Sequence, residues 1–179
     1  ENPSTPPEIL EELAMDSRGD IQAAVARNPN TPGYVLEVLG GTPFHDLLLV
    51  RHPNTPRSTL QKILWRLALD ERLSVRKYVA HHQHAPVSIL TQWAKNSPEL
   101  RPWIALNIRT PSQILEELAK DTSKDVRYGV AKNHNTPPHV LEKLAEDWRL
   151  EVRQAVASNP KTPGNILEIL IKDWHLRSF

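Results

Sequence analysis

The 179-residue chain has no cysteine, one methionine and only six glycines. Without cysteine there is no disulfide, no thiolate nucleophile and no Cys-ligated zinc or iron–sulfur centre within this span. No glycine-rich phosphate loop and no GxSxG elbow occurs. No apolar run approaches the roughly 20 residues that span a bilayer, and the opening ENPSTPPEIL has neither the basic nor the apolar segment of a signal peptide. Neither sign of charge dominates: 22 Lys and Arg face 21 Asp and Glu, a net charge of +1. That balance gives no overall pull toward nucleic acid or an anionic membrane. Hydrophobic residues make up 39% and charged residues 24%, a composition that folds rather than stays disordered. A cytoplasmic location is the expectation. The first residue is not Met, as expected of a piece of a longer protein.

Proline, by contrast, is plentiful. Thirteen of the sixteen prolines lie in or directly after copies of one pentapeptide: NPSTP at 2–6, NPNTP at 28–32, HPNTP at 52–56, NHNTP at 133–137 and NPKTP at 159–163, with looser copies at 82–86 and 107–111. Aligned on the first residue, the copies begin at Asn2, Asn28, His52, His82, Asn107, Asn133 and Asn159, a spacing of 24–30 residues. A period of this size over seven copies is the mark of a solenoid, in which each unit packs on its neighbours.

Thr5, Thr31, Thr55, Thr110, Thr136 and Thr162 each precede a proline. Thr is a favoured N-cap and Pro a favoured first helical residue, so the pentapeptide is expected to start a helix. Thr5–Glu8 and Thr110–Gln113 extend it to capping boxes. The closing Asn of each repeat is expected to end the preceding helix in the left-handed conformation. Behind each corner runs the column Leu10, Leu36, Leu60, Leu90, Leu115, Leu141, Leu167, flanked by Ile9, Val35, Thr59, Ile89, Ile114, Val140, Ile166 and, three residues on, by Leu13, Leu39, Ile63, Trp93, Leu118, Leu144, Leu170. This is one apolar helix face. A shorter segment follows, as in DVRYGVAKN at 125–133, one or two turns that either an α- or a 3-10 helix would serve. No stretch alternates with period two, so no sheet is expected. Each repeat then has a longer helix A and a short helix B.

The run NHNTPPHVLEKLAEDWRLEVRQAVA at 133–157 carries the pattern NPxTPxxxLxxLAxD followed by VRxxVA. It resembles the leucine-rich repeat variant family of bacterial repeat proteins, most strongly in repeats one, five, six and seven. The resemblance implies an all-α, right-handed α-solenoid of about seven repeats, alternating α- and 3-10 helices, forming a single repeat domain over residues 1–179. Some members add a cysteine-rich iron–sulfur module, which a chain without cysteine does not carry. The pattern is also similar to HEAT repeats, with their Asp–Arg ladder. Neither resemblance names an activity.

Three sets of side chains stand out. Asp70 and Arg76, Asp121 and Arg127, and Asp147 and Arg153 are each six residues apart, with Arg101 and Asp46 in the Arg slots of repeats four and two. They read as a structural ladder bonding carboxylates and carbonyls within and between repeats. The alternative is an Arg row, Arg76, Arg101, Arg127 and Arg153, that holds phosphates or an acidic peptide, best at Arg101, where Lys95 replaces the usual Asp. His81, His82 and His84 form a local cluster without the carboxylate that a metal site usually adds; no metal or other cofactor is expected. Trp148 and Trp174, 26 residues apart, read as fillers between repeats, with an exposed aromatic corner as the alternative.

Repeats two to four are the individual part of the array. Repeat three is four residues longer, which lengthens helix A by about a turn and is expected to place Trp65 and Arg66 in the extension. Repeat two breaks at GGTPF, 40–44, and restarts at Thr42–Pro43. In helix B the two residues after the Arg slot are expected to face outward: Ala23–Ala24, Leu47–Leu48, Lys77–Tyr78, Pro102–Trp103, Tyr128–Gly129 and Gln154–Ala155. Tyr78, Trp103 and Tyr128, with Leu48 and Arg101 nearby, would form an apolar stripe of the residue types that dominate binding hot spots; the other reading packs these rings between repeats. The expected function is therefore a non-enzymatic scaffold that binds a protein or peptide on its concave surface, with a nucleic-acid cradle built on the Arg row as the alternative. Ordinary core residues in the terminal repeats, Ile9, Leu10, Leu167 and Leu170, suggest end-to-end association or a longer parent chain.

Overall fold

The computed structural model describes residues 2–176, with side chains described through residue 172. It is all helical, with no strand among the described residues. The chain forms two compact units, residues 1–79 and 80–179.

In the first unit the A helices are α1 (Pro7–Ala14), α3 (Gly33–Leu39) and α5 (Arg57–Ala68), and the B helices are α2 (Gly19–Arg27), α4 (Pro43–Leu49) and α6 (Leu73–His81), whose last two residues belong to the second unit. The second unit continues with A helices α7 (Val87–Asn96), α9 (Ser112–Leu118), α11 (Pro138–Leu144) and α13 (Gly164–Leu176), and B helices α8 (Arg101–Leu106), α10 (Lys124–Lys132) and α12 (Leu150–Ala157). Every B segment is α-helical. The 3-10 geometry is confined, among the described residues, to Pro98–Leu100, directly before α8.

The apolar columns form the core. Leu10, Leu36, Leu60, Leu90, Leu115 and Leu141 are all buried, and so are Val35, Ile89, Ile114 and Val140 one residue earlier. Ile9, in the first repeat of the sequence, is exposed. From the B helices come Val25, Val79, Ile104, Val130 and Val156, each buried beside a small residue such as Ala26, Ala105 or Ala131. Burial of a Leu, Ile or Val is worth about 1.5–3 kcal/mol per side chain, so the repeated columns carry the stability of each unit.

The corners differ from the sequence expectation in two ways. Thr does not cap helix A. The N-cap is the proline itself, with no side-chain cap bond, at Pro6, Pro32, Pro56, Pro111 and Pro137, and the boxes Thr5–Glu8 and Thr110–Gln113 do not form. From Thr31 onward the Thr hydroxyl turns backward instead and donates to the carbonyl six residues earlier, at the end of the preceding helix B: Thr31 to Val25 at 2.6 Å, Thr110 to Ile104 at 2.6 Å, Thr136 to Val130 at 2.5 Å; Thr5 donates to the Asn2 carbonyl at 2.7 Å. Each of these helix-end carbonyls also accepts the N–H of the closing Asn, as Val130 does from Asn133 at 3.1 Å, so the buried hydroxyl takes up its second lone pair. Thr42 is the exception, accepting from the His45 N–H at 3.3 Å at the start of α4, with Pro43 in the first helical position.

The closing Asn is likewise not left-handed. Asn28, Asn107 and Asn133 have φ −73° with ψ 118°, 127° and 125°, an extended geometry, and no non-glycine residue has positive φ among those described. The Asn side chain is used as a bridge. Its Oδ1 accepts from the N–H two residues on, as in Asn133 with Asn135 at 2.8 Å, and its Nδ2 donates to the preceding repeat: Asn133 to Ala105 and Asn107 at 2.7 and 2.8 Å, Asn159 to Ala131 and Asn133 at 2.7 and 3.0 Å. His52 occupies the same slot and copies the pattern. Its Nδ1 accepts from Asn54 N–H at 3.1 Å, which leaves the proton on Nε2 to donate to the Asn28 carbonyl at 2.8 Å. Each corner of this kind thus hydrogen-bonds to the previous one, a bond set that only a buried amide or a neutral imidazole supplies at this position.

Candidate functional site

The Arg slots sit at the start of the B helices and their partners at the A–B turns. Arg127 is buried, 7% exposed. Its Nη1 donates to the Asp121 and Thr122 carbonyls at 2.8 and 3.0 Å, and its Nε and Nη2 reach the Asp147 carboxylate at 2.5 and 3.2 Å. Within a repeat, then, it is the Asp backbone that meets the Arg; the carboxylate pairs with the Arg of the repeat before. The same carboxylate accepts the Arg149 N–H at 2.9 Å. Burial pushes the Asp147 carboxyl up, but the Arg127 bonds, the Arg149 N–H and the charges of Arg127 and Arg153 outweigh it and hold the group below the usual range. Arg153 is also buried and donates to the Asp147 carbonyl at 2.7 Å.

Arg101 has an acidic partner after all. Its Nη1 meets Asp121 Oδ2 at 3.0 Å while Nε and Nη2 bond the Ala94 and Lys95 carbonyls at 2.8 and 3.2 Å. The Lys95 side chain in the Asp slot of its own repeat is irrelevant, because the rung runs to the next repeat and the bond within the repeat is to a carbonyl. Arg76 bonds the Asp70 and Glu71 carbonyls at 2.8 and 2.9 Å. The Asp70 carboxylate turns to Arg72, two residues on, whose side-chain and backbone bonds lower it to about 2.

One rung escaped the reading of the sequence. Buried Asp46, in the Arg slot of α4, accepts from Arg66 Nε and Nη2 at 2.7 and 2.8 Å. Arg66 follows Leu60 by six residues, as Asp121 follows Leu115, so it holds the Asp slot and the extension of repeat three comes after it. The signal was present: Arg101–Asp121, Arg127–Asp147 and Asp46–Arg66 are all 20 residues apart.

The aromatic candidates are spread unevenly. Trp103 on α8 and Tyr128 on α10 are each 37% exposed. Tyr78 on α6 and Leu48 on α4 are half-buried, and the Arg51 guanidinium lies 5.0 Å over the Tyr78 ring. The paired outward positions do not both face solvent. Gly129 and Ala155 are buried while Tyr128 and Gln154 are exposed, and Ala23 is buried while Ala24 is exposed. The cause at α10 is close packing on α8: a Cβ on Gly129 would come within 2.8 Å of Ala105 Cβ and 3.2 Å of the Pro102 carbonyl. Trp103 stands in the column of Gly129, and Tyr128 in that of Pro102, so the two rings occupy alternate columns of adjacent helices.

The histidine cluster disperses. His82 and His84 rings lie 5.8 Å apart, the His84 N–H donates to His82 Nδ1 at 3.1 Å, and His81 meets the Trp103 ring edge-on at 6.1 Å. No group of three or more His, Asp and Glu that could hold a metal occurs among the described residues. Trp148 is not a filler between repeats. It is 68% exposed and lies beside Arg149, 4.0 Å from its ring, and Arg127, 5.8 Å away; the side chain of Trp174 lies outside the described residues. Among those residues no helix is long and apolar enough to cross a membrane.

Consecutive helix pairs joined by amide, hydroxyl and guanidinium bridges define a helical repeat protein. The chain has the fold of a solved structure described as a leucine-rich repeat variant with a novel repetitive protein structural motif, with a TM-score of 0.55 and 22% identity over 93% of this chain and 71% of that one. No protein-family model matches the chain, and no curated protein does. At this identity the likeness is one of fold.

Proposed function

We propose that the protein is a non-enzymatic scaffold, one right-handed array of repeats, that binds a protein or peptide on the concave face formed by its B helices. The observation that carries this reading is the exposure of Trp103 and Tyr128 on helices locked together at Gly129. Rigid, half-exposed rings bind at little entropic cost and dominate hot spots. The buried polar groups, in contrast, are spent on the fold: the corner Asn and Thr side chains on carbonyls, Arg127 on Asp147 and two carbonyls. Arg127 and Arg153 are too buried to grip a phosphate chain, which favours a peptide over nucleic acid.

The test is capture of a partner from host lysate by the wild-type chain, compared with Trp103→Ala and Tyr128→Ala. Loss of the captured protein in both variants, with thermal midpoints close to wild type, is the expected result. Capture unchanged in both removes these rings from binding. Capture of nucleic acid that declines steeply with salt would select the other reading.

A further inference from the structure

Charge is sorted by position within the repeat. The corner segments 27–33, 51–57, 81–87, 106–112, 132–138 and 158–164 hold Arg27, Arg51, Arg57, Arg109, Lys132 and Lys161 and none of the 21 Asp and Glu. The helices that leave these corners, α3, α5, α7, α9, α11 and α13, have no acidic residue in their first turn, although a helix N-terminus favours one. At the opposite turns that preference holds: α2, α4, α10 and α12 carry Asp20, Asp46, Asp125 and Glu151 in theirs. Helix dipoles account for Arg27 and Lys132, in the last turns of α2 and α10. They do not account for Arg109 and Lys161, which lie outside the helices, or for Arg57, which opens α5 where a cation is disfavoured.

Within each unit the corners form one continuous edge. In the first, Asn28 bonds the Asn2 carbonyl at 3.0 Å and His52 that of Asn28 at 2.8 Å. In the second, Asn107 bonds the His82 carbonyl at 3.1 Å, Asn133 that of Asn107 at 2.8 Å and Asn159 that of Asn133 at 3.0 Å. The cations on these edges are not spent on the fold. Arg27, Arg57, Lys132 and Lys161 are exposed; Arg109 is half-buried, with its Nε enclosed and without a hydrogen-bond partner. None of the five forms an ion pair among the described residues, whereas Arg101 and Arg127 are taken up by Asp121 and Asp147.

An edge with free cations and no carboxylate favours an anionic partner. The spacing of the charges says which kind. There is about one cation per corner, and neighbouring helices pack about 8–10 Å apart. An extended peptide advances about 3.3 Å per residue, so an acidic side chain at about every third residue reaches one corner each. A nucleic-acid single strand is held by rings that stack on its bases, and the corner segments contain no Trp, Tyr or Phe. We infer that the corner edge of each unit binds an extended acidic segment of a partner protein. The edge is separate from the B-helix rings, and the inference does not rest on them.

Fluorescence anisotropy with fluorescein-labelled decaglutamate tests it, with decalysine and oligo-dT as comparison probes. Decaglutamate should bind, more weakly as salt rises, and decalysine should not. Arg27→Gln/Arg57→Gln/Arg109→Gln/Lys132→Gln/Lys161→Gln should raise the dissociation constant at least about tenfold. The matched control Lys62→Gln/Lys95→Gln/Lys120→Gln/Lys143→Gln/Lys172→Gln removes as many exposed cations outside the corners, so the net charge falls equally, and it should change binding less than about twofold. Circular-dichroism melts check both folds, and Arg57→Gln/Lys161→Gln, at two exposed positions, should weaken binding in the same direction if the larger variant melts early. Trp103→Ala/Tyr128→Ala should leave decaglutamate binding in place, which separates this edge from the B-helix site. Equal weakening by the edge and control sets, no binding by the wild type, or tighter binding of oligo-dT than of decaglutamate would each overturn the inference.

Discussion

Asp46 and Arg66 form the same 20-residue rung as the Arg–Asp pairs of the second unit, with the charges exchanged: the carboxylate is on the B helix and the guanidinium on the A helix. The Asp46 side chain is 1% exposed and that of Arg66 41%, so removing Arg66 leaves a buried carboxylate without its cation. Arg66→Ala should destabilise the first unit by about 3 kcal/mol, and Asp46→Ala/Arg66→Ala by less than that single change. Chemical denaturation of the two variants checks this; equal losses would mean the rung contributes nothing as a pair.

Thr136 is 0% exposed and its hydroxyl donates to Val130 O. Thr136→Val keeps the shape and removes that bond, while the carbonyl keeps the Asn133 N–H at 3.1 Å, so the loss should be about 0.5–1.5 kcal/mol. Thr136→Ser, which keeps the hydroxyl, should lose much less. A urea midpoint that falls equally for both would assign the effect to packing.

Gly129 has no room for a methyl group. Gly129→Ala brings its Cβ within 2.8 Å of Ala105 Cβ, an overpacking cost of about 1–3 kcal/mol against a helix-propensity gain of about 1 kcal/mol. The net effect should be a loss, reversed by Ala105→Gly in the same chain. Thermal melts of the single and double variants decide it.

The buried rung also predicts acid sensitivity. The Asp147 carboxyl lies below its ordinary value when folded, so its stabilisation is fully present above the unfolded value of about 3.9 and is lost as pH falls through the lower folded value. Denaturation midpoints of the wild type should drop below about pH 4, and Asp147→Asn should show a shallower drop from a lower plateau. Parallel profiles would place the acid sensitivity elsewhere.

Asn133 donates to two buried carbonyls. Asn133→Asp sets an acceptor against acceptors and should be more harmful than Asn133→His, because the chain already uses His52 in this slot. The order of the two midpoints is the measurement.

The sequence by itself determined the helices, the repeat and the core. Leu36, Leu115 and Leu141 are buried because an apolar residue at fixed phase on an α-helix has one stable direction, and that phase is local information. The Thr–Pro corner was legible as punctuation but not in its bonding. Whether the Thr136 hydroxyl caps the helix ahead or the carbonyl behind depends on how the chain turns at the corner, and propensity alone does not say. Asn133, Arg101 and Asp46 have partners 20–28 residues away, and only the stacking of one repeat on the next brings those groups within hydrogen-bond reach. The exposure of Trp103, Tyr128 and Trp148 was also decided by packing. The contact at Gly129 sets how closely α10 lies on α8, and a ring is buried or left in water according to that distance.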